Sequence, residues 1–253
     1  MEGFDGSTVL VTGASSGIGA AVAIAFASAG ASVAVHFHRN VAGAEAVLAA
    51  IEAAGARGLL VGADLMAPSG ADDVVSATEA DLGPIDVLVN NAGDLGVRED
   101  VADVSDAAYQ HVMELNMGTV FRACRRVVPS MVKQGNGAIV NISSIAARTG
   151  GGGRSVLYAS AKAAVSTFTR GLAREVGRHG IRVNAVAPGV IDTPFHDRHS
   201  TPQRLEQIAA ANPLGRIGTP QDCVGPVMFL ASSTMGGYVT GQVIEVNGGA
   251  LTP

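Results

Sequence analysis

Short runs of β-branched and aliphatic residues alternate with stretches of helical spacing from one end of this chain to the other. The strand-like runs lie at 8–11, 32–37, 58–62, 87–90, 138–142, 182–187 and 243–246. Helical spacing lies at 18–29, 42–54, 71–81, 106–133 and 163–178. No linker or internal repeat divides the pattern. It therefore predicts an α/β protein whose single domain, 1–253, is built on a doubly wound parallel sheet.

Composition narrows the classes of function that remain. The chain has 253 residues, 15% of them charged, and a formal net charge of −5. This charge gives no attraction for nucleic acid, and no cluster of Lys and Arg supplies one. The cysteines Cys124 and Cys223 stand far apart and match no metal-ligand spacing, so we expect reduced thiols and no metal site. Glycines interrupt the uncharged stretch 6–35, and residues 1–5 lack signal-peptide character, so we expect no membrane association and a cytoplasmic protein.

A glycine-rich stretch joins the first predicted strand to the first predicted helix. Its glycines let the backbone turn sharply and approach a pyrophosphate, and the helix N-terminus that follows favours negative charge. The spacing T-G-x-x-x-G-x-G differs from the G-x-G-x-x-G fingerprint but works by the same mechanics. It predicts a dinucleotide site that includes Gly13, Ser15, Ser16, Gly17, Ile18 and Gly19.

The end of the second predicted strand bears on which dinucleotide binds. An acidic side chain there would accept a hydrogen bond from the ribose 2′-hydroxyl of NAD, but the sequence offers Phe37, His38 and Arg39. Arg39, assisted by His38, instead favours the 2′-phosphate of NADP. NADP(H) is therefore the preferred cofactor and NAD(H) the alternative. In the competing interpretation Arg39 is only a solvated loop charge.

Two further strand ends belong to the predicted cofactor site. Asp64, followed by Leu65, comes just after the third strand. Its carboxylate either accepts from the adenine amino group or caps the next turn. Asn91, Ala92 and Gly93 end the fourth strand, where small residues let the chain pass close to a cofactor and the Asn amide can tie neighbouring strands together. A simple turn is the competing interpretation, since Asn and Gly favour positive φ.

A proton-transfer device is indicated between the fifth strand and the helix after it. Ser143 and Ser144 end the strand, and Tyr158 and Lys162 lie one helical turn apart. A free phenol, with a pKa of about 10, is a poor base at neutral pH. We expect the Lys162 ammonium to lower the pKa of Tyr158. A serine hydroxyl facing the phenol could then hold a carbonyl or alkoxide oxygen, which is the arrangement that alcohol–ketone chemistry needs. In the competing interpretation, the Tyr-x-x-x-Lys pair is only a partly exposed pair of side chains on a helix, as such pairs commonly are.

Taken in order, these motifs resemble the short-chain dehydrogenase/reductase family from Thr8 to Gly249, nearly the whole chain. They are Thr12-Gly13-x-x-x-Gly17-Ile18-Gly19, Asn90-Asn91-Ala92-Gly93, Asn116, Ser144, Tyr158-x-x-x-Lys162 and Pro188-Gly189. The likeness is greatest to 3-oxoacyl-carrier-protein reductases and to sugar or polyol dehydrogenases. It implies a Rossmann-like fold, an NAD(P) cofactor, a small carbonyl or alcohol substrate and a homotetramer.

The resemblance also implies roles for single residues. Tyr158 would be the general acid/base, Ser144 would position the substrate oxygen, Lys162 would hold the nicotinamide ribose, and Asn116 would anchor a water in the proton relay. Residues near the last strands would contact the nicotinamide end of the cofactor: Pro188, Gly189, Ile191 and Thr193. The distance from Ser144 to Tyr158 is one residue longer than is usual in the family, and the glycine run 150–153 can absorb it. This leaves Ser143 as the alternative serine, and Ser144 is chosen because Asn141-Ile142-Ser143-Ser144 fits the family pattern.

The leading hypothesis is an NADP(H)-dependent carbonyl reductase or alcohol dehydrogenase. The long connection 188–220, with a helical patch at 203–210, is predicted to be a lid that selects the substrate. Residues 133–137 are less basic than docking of an acidic carrier protein would suggest, which disfavours an acyl-carrier substrate. The alternative from another class is a non-catalytic dinucleotide-binding sensor, which would have no need of Tyr158 and Lys162.

Overall fold

A seven-stranded, wholly parallel sheet forms the centre of the protein, with strand order β3-β2-β1-β4-β5-β6-β7. The computed structural model describes residues 3–252. The strands are β1 Thr8–Val11, β2 Ser32–Phe37, β3 Gly58–Gly62, β4 Val87–Asn90, β5 Gly137–Ile142, β6 Ile181–Pro188 and β7 Val243–Val246. The order runs outward from β1 in both directions, which confirms the predicted doubly wound, Rossmann-like sheet.

Helices cover both faces of the sheet. One face carries α1 Gly17–Ser28, α2 Val41–Ala53 and α10 Pro220–Ala231, and the other carries α3 Gly70–Leu82, α5 Thr119–Gln134 and α7 Val156–Val176. Side chains alternate between the two cores along each strand: Val9 and Val11 pack with Phe26 of α1, whereas Leu10 packs on the opposite side with Val75 of α3. The shorter helices are α4 Asp106–Met113, α6 Ala146–Thr149, α8 Pro194–His199 and α9 Pro202–Ala211. Between residues 3 and 252, no helix is both long enough and apolar enough to cross a bilayer.

Three helical segments differ from the prediction. The stretch expected as one helix over 106–133 is α4 and α5 joined by a π-helical turn, Glu114–Gly118. The connection 188–220 contains α8 as well as the expected patch, which is α9. Helix α10 was not predicted because Pro220, Gly225 and Pro226 obscure its pattern. Proline is nevertheless favoured at a helix start, and Asp222 accepts from the Thr219 backbone N–H at 2.7 Å.

Buried amides fix the sheet edge where the site lies. The Asn91 side chain donates to the carbonyls of Thr12 and Gly13, each at 2.9 Å, and so ties the end of β4 to the end of β1. In the next pair of strands, Asn90 donates to Asn141 at 2.9 Å. The carboxyl ends of β1 and β4 flank the point where the strand order reverses, and in open α/β sheets ligands bind in the crevice at that point.

Candidate active site

The glycine-rich turn brings the backbone after β1 close to the loop after β4. Gly13 has φ +63°, and a Cβ there would stand 2.9 Å from Cα of Ala92. A side chain at this position would therefore be strained and would push the two loops apart. Ser16 precedes α1 without capping it through its side chain, so the first N–H groups of α1 keep their capacity to bind an anion.

His36 on β2 holds this turn in place through hydrogen bonds, a role that the sequence did not reveal. Its Nδ1 accepts from the Gly13 N–H at 3.1 Å, and its Nε2–H donates to the Ala63 carbonyl, also at 3.1 Å. These two bonds require the neutral ring. Burial lowers the pKa of His36 to about 4, with the carbonyl of Ala63 opposing the shift, because an imidazolium would lose its hydration. The signal in the sequence that could have revealed this role is a polar residue inside an otherwise apolar strand.

The residues expected at the adenosine end lie at the surface beyond β2 and β3. His38 and Arg39 are exposed. Asp64 accepts from the Met66 N–H at 2.9 Å, which is the turn-forming role that the sequence left open. Leu65 is buried in the core, and its carbonyl accepts from Arg122 at 2.8 Å.

A cavity of about 460 Å³ lies between the glycine-rich turn, the end of β5, α7 and the connection after β6. Most of the predicted cofactor and catalytic residues line it. They are Gly13, Ser16, Gly17, Ile18, Asn91, Ala92, Gly93, Ser144, Tyr158, Lys162, Pro188, Gly189, Ile191 and Thr193. The predicted residues that do not line it are Ser15, Gly19, His38, Arg39, Asp64, Leu65 and Asn116.

The two adjacent serines have different environments. Ser143 is buried, and its hydroxyl bonds Ser166 at 2.7 Å and the Lys162 carbonyl at 3.0 Å, so it holds β5 against α7. The Ser144 hydroxyl accepts from the Ala146 N–H at 3.1 Å and lies next to the Tyr158 phenol. Only Ser144 is therefore placed to share a substrate oxygen with the phenol. In the loop that follows, Gly150, Gly151 and Gly153 have positive φ.

Lys162 lies below Tyr158, with its Nζ 5.7 Å from the centre of the phenol ring and bonded to the Ile142 carbonyl at 2.9 Å. Burial raises the pKa of Tyr158 to about 12, and the neighbouring Ser144 hydroxyl only partly offsets this. Burial likewise lowers the pKa of Lys162 to about 8. The expectation that the ammonium depresses the pKa of Tyr158 is therefore wrong for this structure, because loss of hydration is the largest cause and the Asp94 carboxylate raises this pKa further. At neutral pH the phenol keeps its proton.

Asn116 sits in the π-helical turn, where the extra residue in the turn displaces it from the regular helical ladder. Its Nδ2 donates to the carbonyls of Asp94 at 2.8 Å and Val112 at 3.0 Å. Its Oδ1 is buried and accepts from no group in residues 3–252. A Cβ on Gly93 would stand 2.7 Å from this oxygen and 3.2 Å from Lys162 Nζ. Asn116 Oδ1 and Lys162 Nζ therefore both lie on the side of Gly93 where a side chain would stand, and glycine leaves that space clear.

The connection after β6 covers the cavity and carries residues that were not singled out from the sequence. The Phe195 ring lies 5.9 Å from the Tyr158 ring. Asp94 anchors α8 by pairing with Arg198 at 3.0 Å and His199 at 2.5 Å. Asp94 directly follows the Asn-Asn-Ala-Gly motif at the carboxyl end of β4. That position in the sequence could have identified it as a residue of the site.

Comparison with known proteins agrees with this geometry. The family model described as enoyl-(acyl carrier protein) reductase matches residues 13–251. The chain is 38% identical over 251 residues to an L-rhamnose 1-dehydrogenase (NAD(P)(+)) of Sphingomonas sp. strain SKA58, covering 98% of each chain. It is also 38% identical over 248 residues to a 3-oxoacyl-(acyl-carrier-protein) reductase of Escherichia coli strain K12, covering 97% of this chain and 98% of the relative.

Among solved structures, a 7α-hydroxysteroid dehydrogenase complexed with NADH and 7-oxo glycochenodeoxycholic acid superposes with a TM-score of 0.93. The identity is 35%, and the match covers 99% of this chain and 96% of that one. Together with the match to the family model, these likenesses extend over almost every residue that builds the cavity. The chain belongs to the short-chain dehydrogenase/reductase family of NAD(P)-dependent oxidoreductases.

Proposed function

We propose that this protein interconverts a secondary alcohol and a ketone by hydride transfer, with Tyr158 as the general acid/base. The observation that carries the proposal is the grouping of the Ser144 hydroxyl, the Tyr158 phenol and the buried Lys162 ammonium on one wall of the cavity. A hydroxyl and a phenol that both donate hydrogen bonds to one substrate oxygen are suited to hold a carbonyl.

The residues of the cavity fit a nicotinamide dinucleotide. The turn at Gly13 leaves room that a Cβ would fill, and the uncapped start of α1 suits a pyrophosphate. Gly189 and Thr193 would hold the nicotinamide end, and Lys162 would bind its ribose. When bound, the cofactor supplies the hydride acceptor or donor.

In ketone reduction the protonated state of Tyr158 matters most. A phenol whose pKa is raised to about 12 holds its proton at neutral pH and can donate it to the developing alkoxide. Ser144 donates a hydrogen bond to the same oxygen and fixes its position. Asn116 Oδ1 is buried, accepts no hydrogen bond within residues 3–252 and lies near Lys162 Nζ, so it would hold a water from which Lys162 returns a proton to the phenol.

Within this function we propose NADP(H) as the preferred cofactor. The support is the exposed Arg39 beside His38, with no carboxylate at the end of β2 to repel a 2′-phosphate. The family includes relatives named for either dinucleotide. The lid over 188–220, the homotetramer and the cytoplasmic location stay predictions. No observation favours the sensor alternative.

The test is the reduction of a panel of ketones with NADPH, and the reaction is monitored as the loss of the cofactor's near-ultraviolet absorbance. Tyr158→Phe keeps the ring and its packing on Phe195 but removes the exchangeable proton. We expect turnover to fall by at least the ~10²–10⁴-fold typical of losing a general acid/base. Cofactor affinity, measured by fluorescence titration, and the unfolding midpoint should stay unchanged. A folded Tyr158→Phe protein with near-normal turnover would contradict the mechanism.

A further inference from the structure

We propose that Arg98 and Arg204 form a carboxylate-binding subsite, so that the substrate is an oxo acid or a hydroxy acid. This inference rests on the proposed function for the reaction itself, and it names the class of substrate. The two arginines come from different segments, the loop after β4 and helix α9, and both line the cavity.

The two guanidinium groups meet at the glycine run that precedes α7. Arg98 Nη1 donates to the carbonyls of Gly152 at 3.2 Å and Gly153 at 2.6 Å. Arg204 Nη2 lies 3.7 Å from the point where a Cβ on Gly152 would stand. Gly152 thus brings two cations from distant parts of the sequence to the same wall.

The loop beneath the arginines is fixed rather than free. The Ser155 hydroxyl is buried and donates to the Gly152 carbonyl at 2.9 Å, and it accepts from the Gly152 N–H at 3.1 Å. Tyr158 follows on the first turn of α7. An anion held at Gly152 would therefore stand at a set distance from the phenol that handles the reacting oxygen.

Neither arginine has its charge neutralised within residues 3–252. No carboxylate lies within ion-pairing distance of Arg98 or Arg204, whereas Arg198 is paired with Asp94. No Asp or Glu side chain lines the cavity. His196, also in the lining, is neutral at pH 7, because burial and the neighbouring positive charges lower its pKa. Arg98 and Arg204 therefore give this wall of the cavity positive charge that no carboxylate within residues 3–252 pairs with.

A carboxylate suits this arrangement better than a neutral group. Arg98 donates to backbone carbonyls through Nη1, and its other N–H donors remain available. Arg204 makes no side-chain hydrogen bond in the described chain, so all five of its N–H donors remain available. Arginine forks bind planar carboxylates in a bidentate manner, and such bonds are about twice as strong as neutral ones. The phosphates of a dinucleotide belong at the opposite end, at the start of α1.

The first experiment compares matched ketones with and without the anion. The pairs are levulinate with its methyl ester, and cyclohexanone carboxylate with its carboxamide. We expect wild type to prefer the carboxylate by about ten- to a hundredfold in kcat/KM. Arg98→Gln and Arg204→Gln should each cut that preference several-fold, and the double variant should abolish it, with NADPH affinity unchanged. Arg174→Gln, an exposed arginine farther along α7 that does not line the cavity, is the control and should behave as wild type.

A second experiment measures binding without turnover. Titration calorimetry with cyclohexanecarboxylate, cyclohexanecarboxamide and cyclohexyl phosphate compares the three head groups on wild type and on the same variants. We expect the carboxylate to bind and the amide to bind at least tenfold more weakly, with the difference lost in Arg204→Gln. Equal binding of acid and amide would overturn the inference, and so would a phosphate ester that binds far more tightly than the acid.

The two results separate the two proposals. If wild type reduces neutral and carboxylate ketones equally well, the reaction stands and the carboxylate subsite is wrong. If no ketone is reduced but carboxylate binding persists and depends on Arg98 and Arg204, the subsite stands and the proposed reaction is wrong.

Discussion

At the scale of single residues, burial acts on both members of the Tyr158–Lys162 pair. It raises the pKa of Tyr158 to about 12 and lowers that of Lys162 to about 8. Each shift disfavours the charged form, because a charge in the cavity wall loses its hydration. The pair is therefore more suited to donating a proton at neutral pH than to accepting one. Since the groups lie close together, their titration belongs to the pair.

The pH dependence of alcohol oxidation tests this view of the pair. In oxidation Tyr158 takes the proton of the alcohol and has to pass its own proton on, and Lys162 accepts that proton only when it is neutral. We expect kcat/KM for the alcohol to rise with pH through an apparent pKa near 8, well below that of free tyrosine. The measurement is a pH profile of wild type and Lys162→Met. The variant should lose most activity, bind the cofactor more weakly and show no such rise. An unchanged midpoint in a still-active Lys162→Met would mean that another group sets the profile.

Cofactor choice is also decided by single side chains. A charge-assisted hydrogen bond to the 2′-phosphate contributes about 1.5–3 kcal/mol. Arg39→Ala should therefore weaken NADPH binding by roughly tenfold or more and leave NADH nearly untouched. Phe37→Asp should shift the preference toward NADH, because it adds both a repulsion and a ribose acceptor. Dissociation constants from fluorescence titration decide the matter. Equal affinity of wild type for both dinucleotides, or equal losses in Arg39→Ala, would make Arg39 only a surface charge.

At the scale of elements, the loop after β4 sets the spacing between catalytic groups. The position that a Cβ on Gly93 would take lies close to both Oδ1 of Asn116 in the π-helical turn and Nζ of Lys162 in α7. The φ of Gly93 is not in the left-handed region, so alanine fits the backbone there without strain. Alanine would instead displace one or both of these polar atoms.

Gly93→Ala should therefore fold but react slowly. The new methyl would meet Asn116 at 2.7 Å and Lys162 at 3.2 Å, so one or both must move. Displacements of about 1 Å can cost ~10²-fold in rate, and we expect turnover to fall by roughly tenfold or more. Gly171→Ala in α7 is the matched control, since its Cβ meets nothing within 4 Å. That change should raise the unfolding free energy by about 0.5–1 kcal/mol and leave turnover alone. Comparable losses in both variants would indicate a general effect on folding.

Local patterns predicted the strands and the motifs but not the details that need distant partners. The bounds of β1, β2, β3, β4 and β7 follow from buried aliphatic runs, and the structure reproduces them. The π-helical turn could not be predicted, because nothing in its composition distinguishes it from regular helix. The pKa values of Tyr158 and Lys162 depend on how deeply the whole fold buries them, which residue spacing does not reveal.

The part of the site formed by the loop after β4 and by α9 was beyond local reasoning for the same reason. Arg98 and Arg204 are 106 positions apart in the sequence and meet only because β4 and β6 end at the same edge of the sheet. Each alone is an ordinary exposed charge. The prediction of Ser144 rather than Ser143 rests on the family pattern, and the structure adds that the Ser143 hydroxyl is engaged by Ser166.

At the scale of the whole molecule, one buried imidazole connects three parallel strands at the edge where the cofactor site lies. His36 stands on β2, accepts from the turn after β1 and donates to the carbonyl that follows β3. Both bonds need the neutral ring, and protonation would break the bond from Gly13. The stability of this half of the sheet is thus linked to the charge of a single group.

This link predicts how stability changes in mild acid. The pKa of His36 is lowered from 6.5 to about 4, so between these values the unfolded chain binds a proton that the folded chain does not. The free energy of unfolding should therefore be highest above pH 6.5 and fall as pH drops toward 4, by roughly 3 kcal/mol from this group. Asp222, whose pKa is held below the usual carboxyl range by Arg216, acts only at lower pH.

Urea unfolding of the cofactor-free protein at a series of pH values measures the effect. His36→Gln, with a non-titrating amide, should be less stable than wild type at pH 7 because its bonds to Gly13 and Ala63 are weakened. Its stability should nevertheless fall less between pH 6.5 and 4, because no proton is taken up at this position on unfolding. His38→Gln is the control, since His38 is exposed at the end of the same strand and should keep the wild-type slope. If the slope of His36→Gln equals that of wild type, the acid sensitivity arises from the carboxylates, and His36 serves only as a neutral hydrogen-bonding group at every pH.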